Sequence, residues 1–400
     1  MTTLVPEATG IDGIVHLDPV PAFTPLAERS RGGVPQILLP SGHTALHLTR
    51  YADVHRILTD PSFGRTATNT EDGPSFLPTI MPKELLLNLD APHHARMKAF
   101  VNADYSASAV ERLRPVVREL LLDKVARLRA EDRPDLYATV LDRLPAEVNG
   151  RFLGIPDEDI PFYRPLAHTV QIASHEDVPG LVQDFTALYG YLLDLVTGAR
   201  PRTPGGLIDR FVAARGTAQP PLSDAELVGI LLGSVLGADQ NVLSVAAKIV
   251  YTLLCRPVLW RRLVDRPEDI GPILDELIRL IPLGNISAFP RLATRRVEVS
   301  QGVIEAGDVV YPDAFQANRD PEVFPDPLVV DPDRGGKRHL QFGYGMHHCM
   351  GAALARMEIT ELLTVLTAEL PGLALAADAE TLPWDSGVIL RRPTALPVRW

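Results

Sequence analysis

Cysteine is scarce in this chain: Cys255 and Cys349 are the only two among 400 residues. They lie far apart, which excludes a disulfide framework and fits a reducing compartment. No secretory-type apolar core precedes residue 30, and no apolar run continues long enough without charge to read as a membrane span. A cytoplasmic protein with no membrane partner is therefore expected. Gly/Ser linkers, charge blocks and internal repeats are also missing, so residues 1–400 are expected to form one domain. Positive charge is short as well, with 39 Lys and Arg against 50 Asp and Glu, and the formal charge of -11 argues against a nucleic-acid partner while leaving room for a local basic docking face. What is present is apolar surface: 46% of residues are hydrophobic, enough for a sizeable core, and the 36 prolines are spread through loops and helix starts rather than gathered in a disordered tract.

Helical periodicity dominates. Residues 111–129 place Leu113, Val116, Val117, Leu120, Leu121, Val125 and Leu128 on one face. Ser223 followed by Glu226 forms a capping-box signature, after which an apolar pattern runs to about Leu254, ahead of Pro257. The stretch LVGILLGSVLGA is apolar on nearly every face, which predicts a long helix through the interior. Shorter helices are expected over 51–58, 257–264 and 268–281. Strand signals are few: residues 35–48 read as two strands about a Ser-Gly turn, and 297–311 as a strand pair turning at Gln301 and Gly302. The fold class expected is mainly α with minor β.

The segment FGYGMHHCMGAALARME, residues 342–358, carries the chemistry. Gly343, Gly345 and Gly351 bracket Cys349 with residues that let backbone approach a flat ligand and adopt positive φ. Apolar residues at helical spacing follow, so Cys349 is expected at a helix N-terminus, where free N–H groups and the helix dipole favour a thiolate and hence a metal ligand. A buried cysteine packing as a small hydrophobe is the commoner case elsewhere, and fits Cys255, which has no motif around it. Zinc is disfavoured, because adjacent His347, His348 and Cys349 cannot readily share one tetrahedral ion and no second ligand pair stands at finger-like spacing.

FGYGMHHCMG resembles the cysteine loop of the cytochrome P450 family, Phe-Gly-x-Gly-x-His-x-Cys-x-Gly, with Phe342, Gly343, Gly345, His347, Cys349 and Gly351 filling every fixed position. The resemblance implies the P450 fold, with a long central distal helix and a cysteine-ligand loop. It also implies heme b (iron protoporphyrin IX) bound through Cys349 as the metal ligand, Phe342 packing beside that ligand and His347 reaching a propionate. A thiolate axial ligand donates the electron density that favours O–O cleavage. Glu276 and Arg279 resemble the family's structural Glu-x-x-Arg pair and precede Cys349 by 73 and 70 residues, followed by ANRD at 317–320 and FPDPLVVDPDR at 324–334 in the family's order. LDAPHHARMK at 89–98 and FPRLAT resemble the stretches that place His94, Lys98 and Arg291 on the heme propionates. Buried carboxylates need paired donors, so these cations with His347 form a plausible clamp.

The distal helix departs from the family pattern. Its LGADQN, residues 236–241, keeps Gly237 and Asp239 but has Leu236 for the small residue and Gln240 where threonine is usual. An amide has no acidic hydroxyl, so proton delivery is expected to differ, with Asp239, Gln240 and Asn241 as the catalytic candidates. Substrate contacts are expected from Met81, Leu86, Ser234, Ala238, Asn241, Ile286, Ser287, Phe289 and Val388, a largely apolar set. The resemblance implies an enzyme using O2, a small-molecule substrate, and electrons from a ferredoxin with its NAD(P)H-dependent reductase. Monooxygenation of a secondary metabolite is the leading reading. Oxidative C–C or C–N coupling of aromatic substrates such as diketopiperazines is the alternative, and a non-catalytic heme sensor or carrier is a rival from another class.

Overall fold

The computed structural model describes residues 9–76, 81–172, 178–385 and 390–400. Helices supply most of the largest buried cluster, and two smaller ones form around the strands, one of them with the helix Tyr51–Thr59 packed in. Seven helices frame the site: α1 (Tyr51–Thr59), α2 (His93–Val101), α3 (Arg114–Arg129), α4 (Ile160–Ile172), α5 (Asp224–Cys255), α6 (Ile270–Leu280) and α7 (Ala352–Glu369), of which, among the described residues, α3 packs against α7 and α4 against α5 without lining the cavity.

The expected hairpin is β2 (Val34–Leu38) and β3 (Thr44–Leu48), turning through Gly42 at φ +80°. A strand without a sequence signal, β1 (Thr24–Arg31), pairs with β2. With β4 (Phe63–Gly64), β5 (Arg291–Ala293) and β8 (Val309–Pro312) they form one sheet in the order β1-β2-β3-β8-β5-β4. β3 runs parallel to β8 with Leu46 opposite Val310, and β5 runs antiparallel to β8 with Arg291 opposite the same Val310. That register carries Arg291 into the interior. The expected turn at Gln301 joins β6 (Val297–Val299) to β7 (Gly302–Ile304) as a separate hairpin.

α3 begins later than its pattern suggests, because residues Glu111–Leu113 form a 3-10 turn before Pro115 enters the first helical turn. Only Val117, Leu121, Val125 and Leu128 of the apolar stripe are fully buried. α5 has the capping box in full: Ser223 Oγ accepts from Glu226 N–H at 3.2 Å, and Glu226 Oε2 accepts from Ser223 N–H at 2.9 Å. By length and composition this helix could span a membrane, yet 72% of its most apolar window is buried against protein. Each fully buried leucine there stabilises the fold by ~1.5–3 kcal/mol relative to exposure.

Behind the cysteine loop, Glu276 and Arg279 form a buried two-pronged pair, with Nε to Oε1 and Nη2 to Oε2 both 2.8 Å. Arg334 Nε donates to Glu276 Oε2 at 2.8 Å, and Arg279 Nη1 also donates to the Pro327 carbonyl at 2.8 Å. The helix is thereby fastened to the 318–334 segment.

Candidate active site

The loop around Cys349 is closed by its own backbone. Cys349 N–H donates to the Phe342 carbonyl at 2.8 Å, and the turns within use Gly343 and Gly345, each at φ +66°. Gly345 is needed twice over, since a Cβ there would lie 2.7 Å from the Leu58 carbonyl of α1. Gly351 is different: its φ is -83°, and no protein atom would come within 4 Å of an added Cβ. Neither backbone nor packing demands glycine at 351, so the space it leaves belongs to the cavity it lines.

That cavity has two lobes of about 370 Å³ each, sharing a wall of Gly237, Asn241, Phe289, His347 and Cys349. Cys349 is exposed only into this enclosed space. With no metal cation beside it, burial pushes the Cys349 thiol pKa up, against the Gly351 and Ala352 N–H groups and the Lys98 charge. A bound metal cation would act in the opposite sense and favour the thiolate.

Basic residues converge on the same cavity. His94 is buried and His347 half-buried, with ring centroids 4.6 Å apart, and His94 Nδ1 and His347 Nε2 have no hydrogen-bond partner among the described residues. Burial pushes the His94 pKa down to about 4, with the His347 neighbour second, and burial lowers His347 as well. Arg291, 5% exposed, donates to the Phe63 carbonyl at 3.2 Å. Sequence reasoning missed Arg65, which no motif marks. It is fully enclosed, lies 4.9 Å from the Phe289 ring centroid, and donates to the Leu87 and Pro290 carbonyls at 3.2 and 2.6 Å. Burial lowers both arginine pKa values, and Arg291 adds to the lowering at Arg65. The nearby acid is Asp90, 3.9 Å from His347 Nε2 and held below the usual carboxylate range: partial burial acts upward but is outweighed by His347 and by the Arg65 and Thr66 N–H groups. Lys98 lines the cavity, but its Nζ donates to the Met346 and His348 carbonyls at 2.5 and 2.8 Å, so it latches α2 to the cysteine loop.

The distal helix corrects the sequence reading. Gly233, Gly237, Asn241 and Val245 face the cavity, whereas Asp239 and Gln240 do not. The helix is regular, and one residue rotates a side chain by about 100°. Gln240 borders a separate pocket with Arg164 and Arg392. Asp239, 1% exposed, accepts from Arg164 Nε at 3.1 Å and Gln240 Nε2 at 2.8 Å; burial raises its pKa against the pull of Arg164.

Of the expected substrate contacts, Met81, Leu86, Ser234, Ala238, Asn241, Ile286, Ser287 and Phe289 line the lobes, joined by Leu390, and Val388 lies outside the described residues. Ser287 Oγ donates to Asp313 Oδ1 at 2.8 Å, and Ser234 Oγ is paired with the Tyr105 hydroxyl at 2.6 Å. Glu358, also unassigned from sequence, is 3% exposed on the cavity wall, with Oε1 unpartnered among the described residues and a pKa pushed up to about 8, first by burial and then by Asp239.

Unpartnered histidine nitrogens and crowded arginines need a doubly anionic ligand, the gap over Gly351 needs a flat one, and the thiol beside them needs a metal. Heme b meets all three demands, which makes this a heme-thiolate protein. Comparison with known proteins agrees. Residues 272–368 match the sequence profile described as Cytochrome P450. The chain is 35% identical to the mycinamicin IV hydroxylase/epoxidase of Micromonospora griseorubida, covering 100% of both. It is 37% identical to the nocardicin C N-oxygenase of Nocardia uniformis subsp. tsuyamanensis, covering 96% of each. Among solved structures, cytochrome P450mel 107F1, described as having biaryl coupling reactivity, superposes with a TM-score of 0.84 at 32% identity, covering 90% of this chain and 91% of that one. The chain belongs to the cytochrome P450 family. It is a heme-dependent monooxygenase that uses O2, a small-molecule substrate and redox partners.

Proposed function

We propose that this P450 tailors a mostly apolar secondary metabolite by oxygen insertion, in the cytoplasm, with electrons from a ferredoxin and its NAD(P)H-dependent reductase, and that residues 1–400 act as one domain. Cys349 Sγ ligates iron. His94, His347, Arg291 and Arg65 hold the propionates, Lys98 keeps the loop in place beside the sulfur, and Phe342, Gly343 and Gly351 shape the proximal face. Bound heme supplies the oxygen chemistry, to which the thiolate lends electron density. The chain's own part is to seat the ring, exclude water and orient substrate against Met81, Leu86, Ile286 and Phe289, with the Asn241 amide as the polar group of α5 reaching both lobes. The observation that carries this reading is Cys349 opening on a cavity lined by the buried Arg65 and Arg291 and by His94 and His347, each histidine with a ring nitrogen unpartnered among the described residues.

Carbon monoxide added to reduced, heme-loaded protein tests it: the cysteinate-type absorption band is expected, and Cys349→Ala should abolish it. NADPH consumption is expected only when redox partners are added, and substrate-dependent consumption excludes a sensor or carrier.

Oxidative coupling of aromatic substrates is favoured by one observation, that α5 presents an amide and no threonine hydroxyl to the cavity. The 32%-identical relative with biaryl coupling reactivity supports the same reading. Product mass decides between them: one added oxygen excludes pure coupling, and a dimer or crosslink without added oxygen excludes insertion.

A further inference from the structure

Two stripes run along α5, one residue out of step. Gly233, Gly237, Asn241 and Val245 line the cavity. Gln240, Ser244 and Lys248, at the same four-residue interval, are buried and hydrogen-bonded to segments behind the helix. Lys248 Nζ donates to the Pro282 carbonyl and, at 2.8 Å, to the Leu283 carbonyl. Ser244 Oγ lies 3.0 Å from the Leu283 carbonyl and 3.1 Å from the Arg391 carbonyl. Gln240 Oε1 accepts from Arg392 Nη2 at 2.8 Å while its Nε2 donates to Asp239. Arg392 is 3% exposed, and its Nε donates to the Tyr137 hydroxyl at 3.1 Å. The segments fastened in this way are cavity walls: Leu283 and Leu390 line one lobe, and a β-bridge between Gly284 and Leu390 ties them together.

We propose that Gln240 is a positioning residue that, through Arg392, sets where the Leu390 wall stands and so selects substrates by shape, while delivering no proton. A threonine on this stripe would turn its hydroxyl to the helix's own backbone, as Thr252 does at 2.7 Å from the Lys248 carbonyl, and would reach neither Arg392 nor the cavity. The proposal rests on the heme-thiolate reading above and concerns the cavity that reading assigns to substrate.

The test titrates heme-loaded variants with imidazole, which is too small to reach the wall, and 4-phenylimidazole, which extends into the lobe, by absorption spectroscopy. Gln240→Met keeps the volume and loses the amide; it is expected to weaken 4-phenylimidazole about five-fold and to leave imidazole within about two-fold. Gln240→Thr should behave like Gln240→Met. Arg392→Lys combined with Gln240→Met should weaken binding no further than the stronger single change. Equal weakening of both ligands, unchanged 4-phenylimidazole binding, or additive effects would overturn the proposal. Failure of the sulfur–iron reading shows separately, as a parent protein without the cysteinate-type band.

Discussion

Arg279 Nη1 donates to the backbone carbonyl of Asn318 at 2.9 Å. Asn318 Oδ1 accepts from Leu340 N–H at 2.6 Å, and the Leu340 carbonyl accepts from Gly343 N–H at 2.8 Å. The buried Glu276–Arg279 pair is thus three hydrogen bonds from the turn that presents the sulfur.

Breaking that pair leaves a buried charge short of a partner, with Arg334 still facing Glu276 when Arg279 is lost. Glu276→Gln or Arg279→Met is expected to cost about 3–5 kcal/mol in urea unfolding, with heme content falling in parallel. Arg279→Lys should rescue little, because an ammonium cannot reproduce the two-pronged contact.

The loop glycines should separate into two kinds. Gly345→Ala forces a Cβ against the Leu58 carbonyl at positive φ and is expected to cost about 1–2 kcal/mol or more in apoprotein stability. The Cβ of Gly351→Ala meets no protein atom within 4 Å, so the change should leave the apoprotein within about 1 kcal/mol of the parent while hindering heme uptake. Thermal unfolding of apoprotein beside pigment titration distinguishes the two.

Glu358 makes stability depend on pH. Its native carboxyl titrates at about 8, pushed up by burial and then by Asp239, against 4.5 for an ordinary glutamate. Between those values the unfolded chain has lost a proton that the native state keeps, so the group's contribution falls as pH rises through that window. Glu358→Gln should flatten the slope and be more stable than the parent by a few kcal/mol near pH 8 in urea titrations.

Among the described residues, the Arg291 guanidinium makes one hydrogen bond, to the Phe63 carbonyl. Arg291→Met is therefore expected to leave apoprotein stability within about 1 kcal/mol and to speed heme loss to excess apomyoglobin by about ten-fold or more.

The glycine-cysteine loop, the capping box at Ser223 and the Glu-x-x-Arg pair were legible in sequence because each is local: residues within a turn or two of one another decide the geometry. Gln240 was not. A motif fixes a residue's position along a helix, whereas the face it presents depends on which neighbours pack around the rod. Arg65 left no trace for a related reason, since a lone arginine between strands reads as a solvated charge until the fold encloses it.

Leu46–Leu48 of β3 hydrogen-bonds in parallel with Val310–Pro312 of β8, from opposite ends of the chain. During synthesis β3 must wait, with that edge unsatisfied, until Val310–Pro312 has been made. Arg291 on β5 reaches its place only once β8 has docked. Pigment capture is therefore a late event on the assembly line, and a nascent chain released early would be colourless and prone to sticking to its neighbours.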